Sequence, residues 1–209
     1  RSRKYLFVRH PHRVTLDALP EGHRYFFSIR DPIRRFRSGF YSRQRKGQPR
    51  IYSEWTEAEA LAFGAFEHAN DLAEALFEDS QRGRVAWCAM RSISHVARHQ
   101  HAWFDEHGFF LETRPPVFIV RQERFEQDLD TLARRLELDV ELEMVDDPVA
   151  AHVTRYGSLP ELSPKALRNL AAWYAADLEF YRLCERWIEE QVGTTQPGTS
   201  ATAGEPVRS

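Results

Sequence analysis

The order of apolar and polar positions predicts short buried strands that alternate with amphipathic helices. Unbroken apolar runs bounded by charge, proline or glycine predict strands at residues 5–8, 24–30 and 117–120. Apolar side chains at three- and four-residue spacing predict helices at 33–45, 70–77, 84–104 and 125–138, with others opening at Thr56 and at Ser163-Pro164. This alternation predicts an α/β fold with a mostly parallel sheet flanked by helices.

The chain is long enough for one domain with a sizeable core, which we assign to residues 1–192. Residues 193–209 are rich in Gly, Thr, Ser, Pro and Ala, and they are predicted to form a disordered tail. No apolar run approaches the roughly 18 residues that a membrane span requires. We therefore expect no membrane insertion.

Charge is nearly balanced over the whole chain but is concentrated locally. The net charge of −2 argues against a general nucleic-acid binder. Between residues 30 and 50, a single acid, Asp31, stands among eight basic side chains: Arg30, Arg34, Arg35, Arg37, Arg43, Arg45, Lys46 and Arg50. Such a cluster creates a positive field that attracts an anionic ligand.

The same region contains an abrupt change from strand to helix. Arg30 ends an apolar run, Asp31 is a favourable N-cap, and Pro32 is a favourable first helical residue. Helix N-termini favour anions, and the planar guanidinium of arginine matches phosphate-like oxygens. The pattern therefore predicts a site for a phosphate or sulfate. The Walker A, GxGxxG, GxSxG, HExxH and CxxC motifs are all absent from the sequence.

The residues of this turn, Arg-Asp-Pro-x-x-Arg-x-x-Ser-x-Phe, resemble the 3′-phosphate-binding motif of sulfotransferases. Those enzymes use 3′-phosphoadenosine-5′-phosphosulfate (PAPS) as the sulfuryl donor. The resemblance implies that Arg30 and Ser38 hold the 3′-phosphate of the nucleotide, and Arg35 matches the middle arginine of the motif. It also implies a P-loop-like sulfotransferase fold.

Weaker similarities follow in the same order as in that family. His12, Leu16 and Asp17 are similar to a segment of carbohydrate 2-O-sulfotransferases, which implies that His12 is the general base. His10 is the alternative base. Residues 118–129 and the last helix resemble the late part of the family fold. Arg155 lies in a loop that closes over the nucleotide in the family, and a solvated loop arginine is the alternative.

The resemblance implies transfer of a sulfuryl group from PAPS to a hydroxyl of a carbohydrate or other polar acceptor, without a metal. No segment of the chain matches the phosphosulfate-binding loop of the family, Pro-Lys-x-[Gly/Ala]-x-Thr, so we expect the first strand and loop to precede residue 1. The alternative is a non-catalytic module that binds an anion, a glycan or a nucleotide. We expect a bacterial cytoplasmic location, with the Golgi lumen as the alternative. The sequence leaves the oligomeric state open.

Three histidines form a second cluster, at positions 95, 99 and 101. On a continuous helix His95 and His99 share a face, but His101 lies roughly 200° from His95. Because three such side chains do not converge, the sequence predicts no metal site.

Overall fold

The computed structural model describes residues 5–11, 14–49, 51–104, 108–138 and 159–193. In these ranges two short strands, β1 (Phe27–Ile29) and β2 (Ile119–Arg121), form a parallel pair. The register aligns Phe27 with Ile119 and Ile29 with Arg121. Both strands therefore end at the same edge of the sheet.

Helices make up most of the remaining described chain. They are α1 (Pro32–Gln44), α2 (Glu57–Ala65), α3 (Ala69–Ala75), α4 (Gln81–Ser92), α5 (Ser94–Ala97), α6 (Phe110–Thr113), α7 (Phe125–Arg135), α8 (Pro164–Trp173) and α9 (Ala175–Gly193). Single 3₁₀ turns occur at Leu16–Ala18, His101–Trp103 and Gln122–Arg124. The predicted α/β class is confirmed, with a small parallel sheet among helices.

The buried side chains form two hydrophobic cores. One is helical and includes Phe36 and Phe40 of α1 with Leu72, Met90 and Leu170. The other surrounds the sheet and includes Ile29, Phe118, Ile119, Phe180 and Ile188. Helix α1 starts at the sheet edge and packs into the helical core, which fixes its direction relative to β1.

Local sequence signals account for several helix boundaries. Thr56 and Glu59 form a reciprocal capping box at the start of α2, as predicted. Ser163 caps α8, with Pro164 as its first residue. The predicted last helix is divided at Tyr174, whose buried hydroxyl donates to the carbonyl of Val96 at 3.0 Å. The anchored tyrosine separates α8 from α9.

Two predictions about secondary structure are wrong. Residues 5–8 form no strand, and Leu6 is 90% exposed, because no described strand pairs with this segment. The predicted helical region 84–104 is also interrupted. Helix α4 ends before Ile93 and α5 before Arg98, and both of these residues have extended backbone angles. His99 and His101 therefore lie outside the helix that the spacing argument assumed.

Within the described ranges, no helix combines the length and apolar character needed to cross a membrane. The predicted disordered tail, apart from Gly193 at the end of α9, lies outside the described residues.

Candidate functional site

A cleft of about 2050 Å³ opens where β1 ends and α1 begins. The turn between them forms as the sequence predicts: the Asp31 carboxylate accepts a hydrogen bond from the N–H of Arg34 at 2.8 Å, and Pro32 is the first helical residue. Because no loop intervenes, Arg30 lies beside the first turn of α1. The strand-end position that was predicted for the anion site therefore lies on the cleft wall.

The main chain of Arg30 is held by a buried glutamine. Gln100 donates from Nε2 to the Arg30 carbonyl at 2.6 Å, and its Oε1 accepts from the Arg30 N–H at 3.0 Å. Gln100 is only 5% exposed. This pair of hydrogen bonds fixes the backbone at the strand end and leaves the guanidinium of Arg30 uncommitted. Sequence reasoning missed Gln100, because nothing near it in the sequence indicates a partner 70 positions away.

One face of α1 lines the cleft with polar side chains. It carries Arg34, Arg35 and Ser38, and it continues to Ser42 and Arg45. The guanidiniums of Arg30, Arg34 and Arg35 and the hydroxyl of Ser38 form no hydrogen bond or ion pair with any residue in the described part of the chain. The structure thus places three of the four residues predicted to bind the nucleotide, Arg30, Arg35 and Ser38, on the lining of one cleft.

Arg35 is partly buried against an aromatic ring. Its guanidinium lies 5.6 Å from the centre of the Trp103 ring. Burial lowers the pKa of Arg35, and the nearby charge of Arg30 lowers it further. Tyr174 and Asp177 act in the opposite direction and raise this pKa. Arginine nevertheless remains charged in proteins. A buried cation beside a second cation is stabilised by any anion that enters between them.

The basic residues on the other faces of α1 are already paired. Arg37 contacts Glu161 through two hydrogen bonds of 3.0 and 3.1 Å. Arg43 contacts Glu59 through two more, of 2.9 and 2.7 Å, in a buried pair. Only part of the predicted basic cluster therefore faces the cleft, and that part includes both arginines of the predicted phosphate motif.

Helix α5 packs closely against α1 beside the cleft. A Cβ on Gly39 would lie 3.1 Å from the Cβ of His95, so the absence of a side chain at Gly39 allows α5 to approach. Ser94, His95 and Arg98 line the cleft from this side. The Arg98 guanidinium lies 5.1 Å from the centre of the Trp103 ring. Basic and hydroxyl groups of both segments therefore line the cleft.

Two predicted site residues, His12 and Arg155, lie outside the described residues. His10, the alternative base, is exposed and lines the cleft. In the basic loop after α1, Lys46 pairs with Glu54 and Arg45 lines the cleft.

The arrangement can bind an anion with two or three guanidiniums and a hydroxyl, at a strand end held rigid by Gln100. Guanidiniums and a hydroxyl supply donors in the geometry that a tetrahedral oxyanion accepts. No protein-family model, curated protein or solved structure matches the chain.

Proposed function

We propose that this chain is a sulfotransferase that uses PAPS as donor and a hydroxyl of a carbohydrate or other polar molecule as acceptor. The observation that carries the proposal is the set of unpaired groups on the cleft wall: Arg30, Arg35 and Ser38. In the proposed complex Arg30 and Ser38 hold the 3′-phosphate of the nucleotide, and Arg35 supports them from the buried side.

The position and the electrostatics of the site support a nucleotide phosphate. The site lies beyond the carboxyl end of a parallel strand, where ligands of α/β proteins commonly bind. No described acid forms an ion pair with its cations, and the carboxylate of Glu123, which also lines the cleft, accepts a hydrogen bond from the N–H of Asp31 at 3.0 Å. The cleft volume of about 2050 Å³ exceeds that of typical small-molecule pockets, which reach about 1000 Å³. It therefore has room for a donor and an acceptor.

The catalytic part of the proposal rests on the histidines near the start of the chain. In sulfuryl transfer the acceptor oxygen forms a bond to sulfur while the bond from sulfur to the 5′-phosphate oxygen of PAPS breaks, which releases adenosine 3′,5′-bisphosphate. The hydroxyl proton of the acceptor must be removed in the same step. A neutral imidazole titrates close to physiological pH and can accept that proton. We assign this role to His12, with His10 as the alternative, and we assign Arg155 to the nucleotide. We further propose that the chain has the P-loop-like fold of the sulfotransferase family.

Donor binding is the first test. In titration calorimetry we expect adenosine 3′,5′-bisphosphate to bind at least about tenfold more tightly than adenosine 5′-monophosphate, because a charge-assisted hydrogen bond contributes about 1.5–3 kcal/mol. Equal affinity for the two nucleotides, or no binding of either, would overturn the proposal.

Transfer from radiolabelled PAPS to a panel of acidic and neutral polysaccharides is the second test. Replacement of the base by alanine should lower the turnover number about 10²-fold. His12→Ala and His10→Ala are matched variants two positions apart, so the one that loses turnover identifies the base. Tight bisphosphate binding with no transfer to any acceptor would favour the non-catalytic binding module.

A further inference from the structure

Two histidines and an aspartate converge behind the cleft wall. His99 and His101 follow α5, and Asp177 lies in the first turn of α9. The Nδ1 atom of His101 lies 2.7 Å from Oδ1 of Asp177, and the Nδ1 atom of His99 lies 3.3 Å from Oδ2. One ligand atom from each residue lies within 4.8 Å of the other two. The Asp177 side chain is fully buried.

The two oxygens of Asp177 have different surroundings. Oδ1 accepts a hydrogen bond from the backbone N–H of His101 at 3.0 Å and also contacts the imidazole of that residue. Oδ2 and the Nδ1 atom of His99 are shielded from solvent and lie 3.3 Å apart, and although burial raises the pKa of Asp177, His99 lowers it. Neither atom has a well-aligned hydrogen-bond partner in the described residues. A buried carboxylate oxygen and an imidazole nitrogen thus face each other without a well-aligned hydrogen bond, and incomplete pairing of buried polar groups is costly unless a further group joins them.

We propose that His99, His101 and Asp177 form a binding site for a divalent transition metal, with Zn²⁺ the best match. Imidazole nitrogen and carboxylate oxygen are ordinary Zn²⁺ ligands. Tetrahedral Zn²⁺ with bonds of about 2.0–2.1 Å holds its ligand atoms about 3.3 Å apart. The separation between His99 Nδ1 and Asp177 Oδ2 is 3.3 Å. A metal there satisfies both unpaired atoms and compensates the buried charge.

The sequence predicts no metal site because three histidines on one helix do not converge, and the structure removes that premise. The spacing argument placed three histidines on one helix, but α5 ends at Ala97 and the chain turns before His99. The third ligand comes from Asp177, 76 positions after His101. Arg35 acts on Asp177 through its charge, but no ion pair joins the two residues. Backbone hydrogen bonds from Gln100 and His101 hold the carboxylate in place, and no described arginine or lysine forms an ion pair with it.

Gln100 lies between the two histidines and holds the main chain of Arg30 by two hydrogen bonds. A metal bound to His99 and His101 would restrain the segment that positions Arg30. If the proposed function holds, Zn²⁺ tightens the binding of adenosine 3′,5′-bisphosphate. The metal site itself does not depend on that function.

The test uses the full chain without an affinity tag, stripped of metal by a chelator and then titrated with Zn²⁺ in competition with a chromophoric chelator. We expect one Zn²⁺ per chain. His99→Ala and His101→Ala should each weaken binding at least about 100-fold, since loss of a mere outer-sphere partner costs about 10- to 100-fold. His23→Ala is the matched control, because His23 is exposed and lies outside the cluster. It should bind Zn²⁺ as the wild type does.

Co²⁺ provides a readout that needs no variant. Tetrahedral nitrogen and oxygen ligands produce visible absorption bands when Co²⁺ replaces Zn²⁺, and Zn²⁺ should bleach them at one equivalent. Absence of Zn²⁺ binding by the wild type at micromolar concentration would overturn the proposal. Unchanged Zn²⁺ affinity in both histidine variants, with melting curves that show them folded, would also overturn it.

Discussion

Arg30 directly follows the last residue of β1, and Arg121 is the last residue of β2, so the two arginines lie one register position apart at the same edge of the sheet. Their guanidiniums have opposite surroundings. Arg121, at the end of β2, is buried, and its guanidinium forms two hydrogen bonds of 2.8 Å to the carboxylate of Asp128. Its backbone N–H donates to the same carboxylate, also at 2.8 Å. Arg30, directly after β1, has its main chain fixed by Gln100, whereas its guanidinium has no partner in the described chain.

The difference arises from where each following helix places its acid. Asp128 lies one turn inside α7, where it reaches back to the strand end. Asp31 immediately precedes α1, and its carboxylate caps the N–H of Arg34. No described carboxylate remains for Arg30. One strand-end arginine therefore stabilises the fold, and the other is available to a ligand.

Removal of Arg121 tests whether this arginine stabilises the fold, and it should cause the largest change in the free energy of unfolding. Arg121→Ala leaves the buried carboxylate of Asp128 without its cation, which should lower the free energy of unfolding by about 3–5 kcal/mol. Urea denaturation followed by circular dichroism measures the loss. Arg168→Ala, at an exposed position on α8, is the control and should stay within about 0.5 kcal/mol of wild type. An Arg121→Ala effect as small as the control would contradict the structural role.

The buried pair of Arg43 on α1 and Glu59 on α2 should make the free energy of unfolding fall in acid. Burial alone would raise the pKa of Glu59, but hydrogen bonds from Arg43 and from the backbone of Thr56 and Ser94 lower it from 4.5 to about 2. The stabilisation is therefore complete above the ordinary pKa of the carboxyl and is lost as the pH falls from about 4.5 to 2, by about 3 kcal/mol in total.

Glu59→Gln, unfolded in urea across this pH range, separates that contribution from general acid effects. The gap in stability between wild type and variant should be widest near neutral pH and should narrow below pH 4.5. A gap that is constant with pH would show that the ionised pair does not contribute as described.

Ser38 tests whether the unpaired groups beside Arg30 bind the ligand. Ser38→Ala removes one hydroxyl from the cleft and should weaken adenosine 3′,5′-bisphosphate binding by about 1 kcal/mol, or about fivefold. Ser42→Ala, one turn further along the same face of α1, is the matched control and should change affinity less. Calorimetry compares the two. Equal losses would show that the phosphate does not lie beside Ser38.

Arg30→Ala should have the smallest effect on stability. Its guanidinium contacts no described partner, and alanine retains both main-chain hydrogen bonds to Gln100, so the free energy of unfolding should change by no more than about 0.5 kcal/mol. The same urea experiment provides the measurement. A loss comparable to that of Arg121→Ala would erase the contrast between the two strand ends.

The parts of the site that the sequence predicts are local in the chain. Asp31 and Pro32 define the strand-to-helix turn, and helical spacing places Arg34, Arg35 and Ser38 on one side of α1. These features depend on residues within two turns of each other, so a single sequence contains the information.

The parts that it does not predict depend on distant contacts. Gln100 reaches Arg30 across 70 positions, and Asp177 reaches His101 across 76. Helical spacing predicts one helix over 84–104, which is too long, because the apolar periodicity continues past Ile93 although the backbone turns there. The apolar run at 5–8 predicted a strand, but a strand forms only where a neighbour pairs with it.

The central claim is that the unpaired guanidinium of Arg30 binds the 3′-phosphate, and a calorimetric cycle with two nucleotides tests it most directly. Wild type and Arg30→Ala are each titrated with adenosine 3′,5′-bisphosphate and with adenosine 5′-monophosphate. We predict that Arg30→Ala loses about 10- to 100-fold in affinity for the bisphosphate, the value of a charge-assisted hydrogen bond, with little change for the monophosphate. An equal loss for both nucleotides, or no loss for the bisphosphate, would contradict the claim.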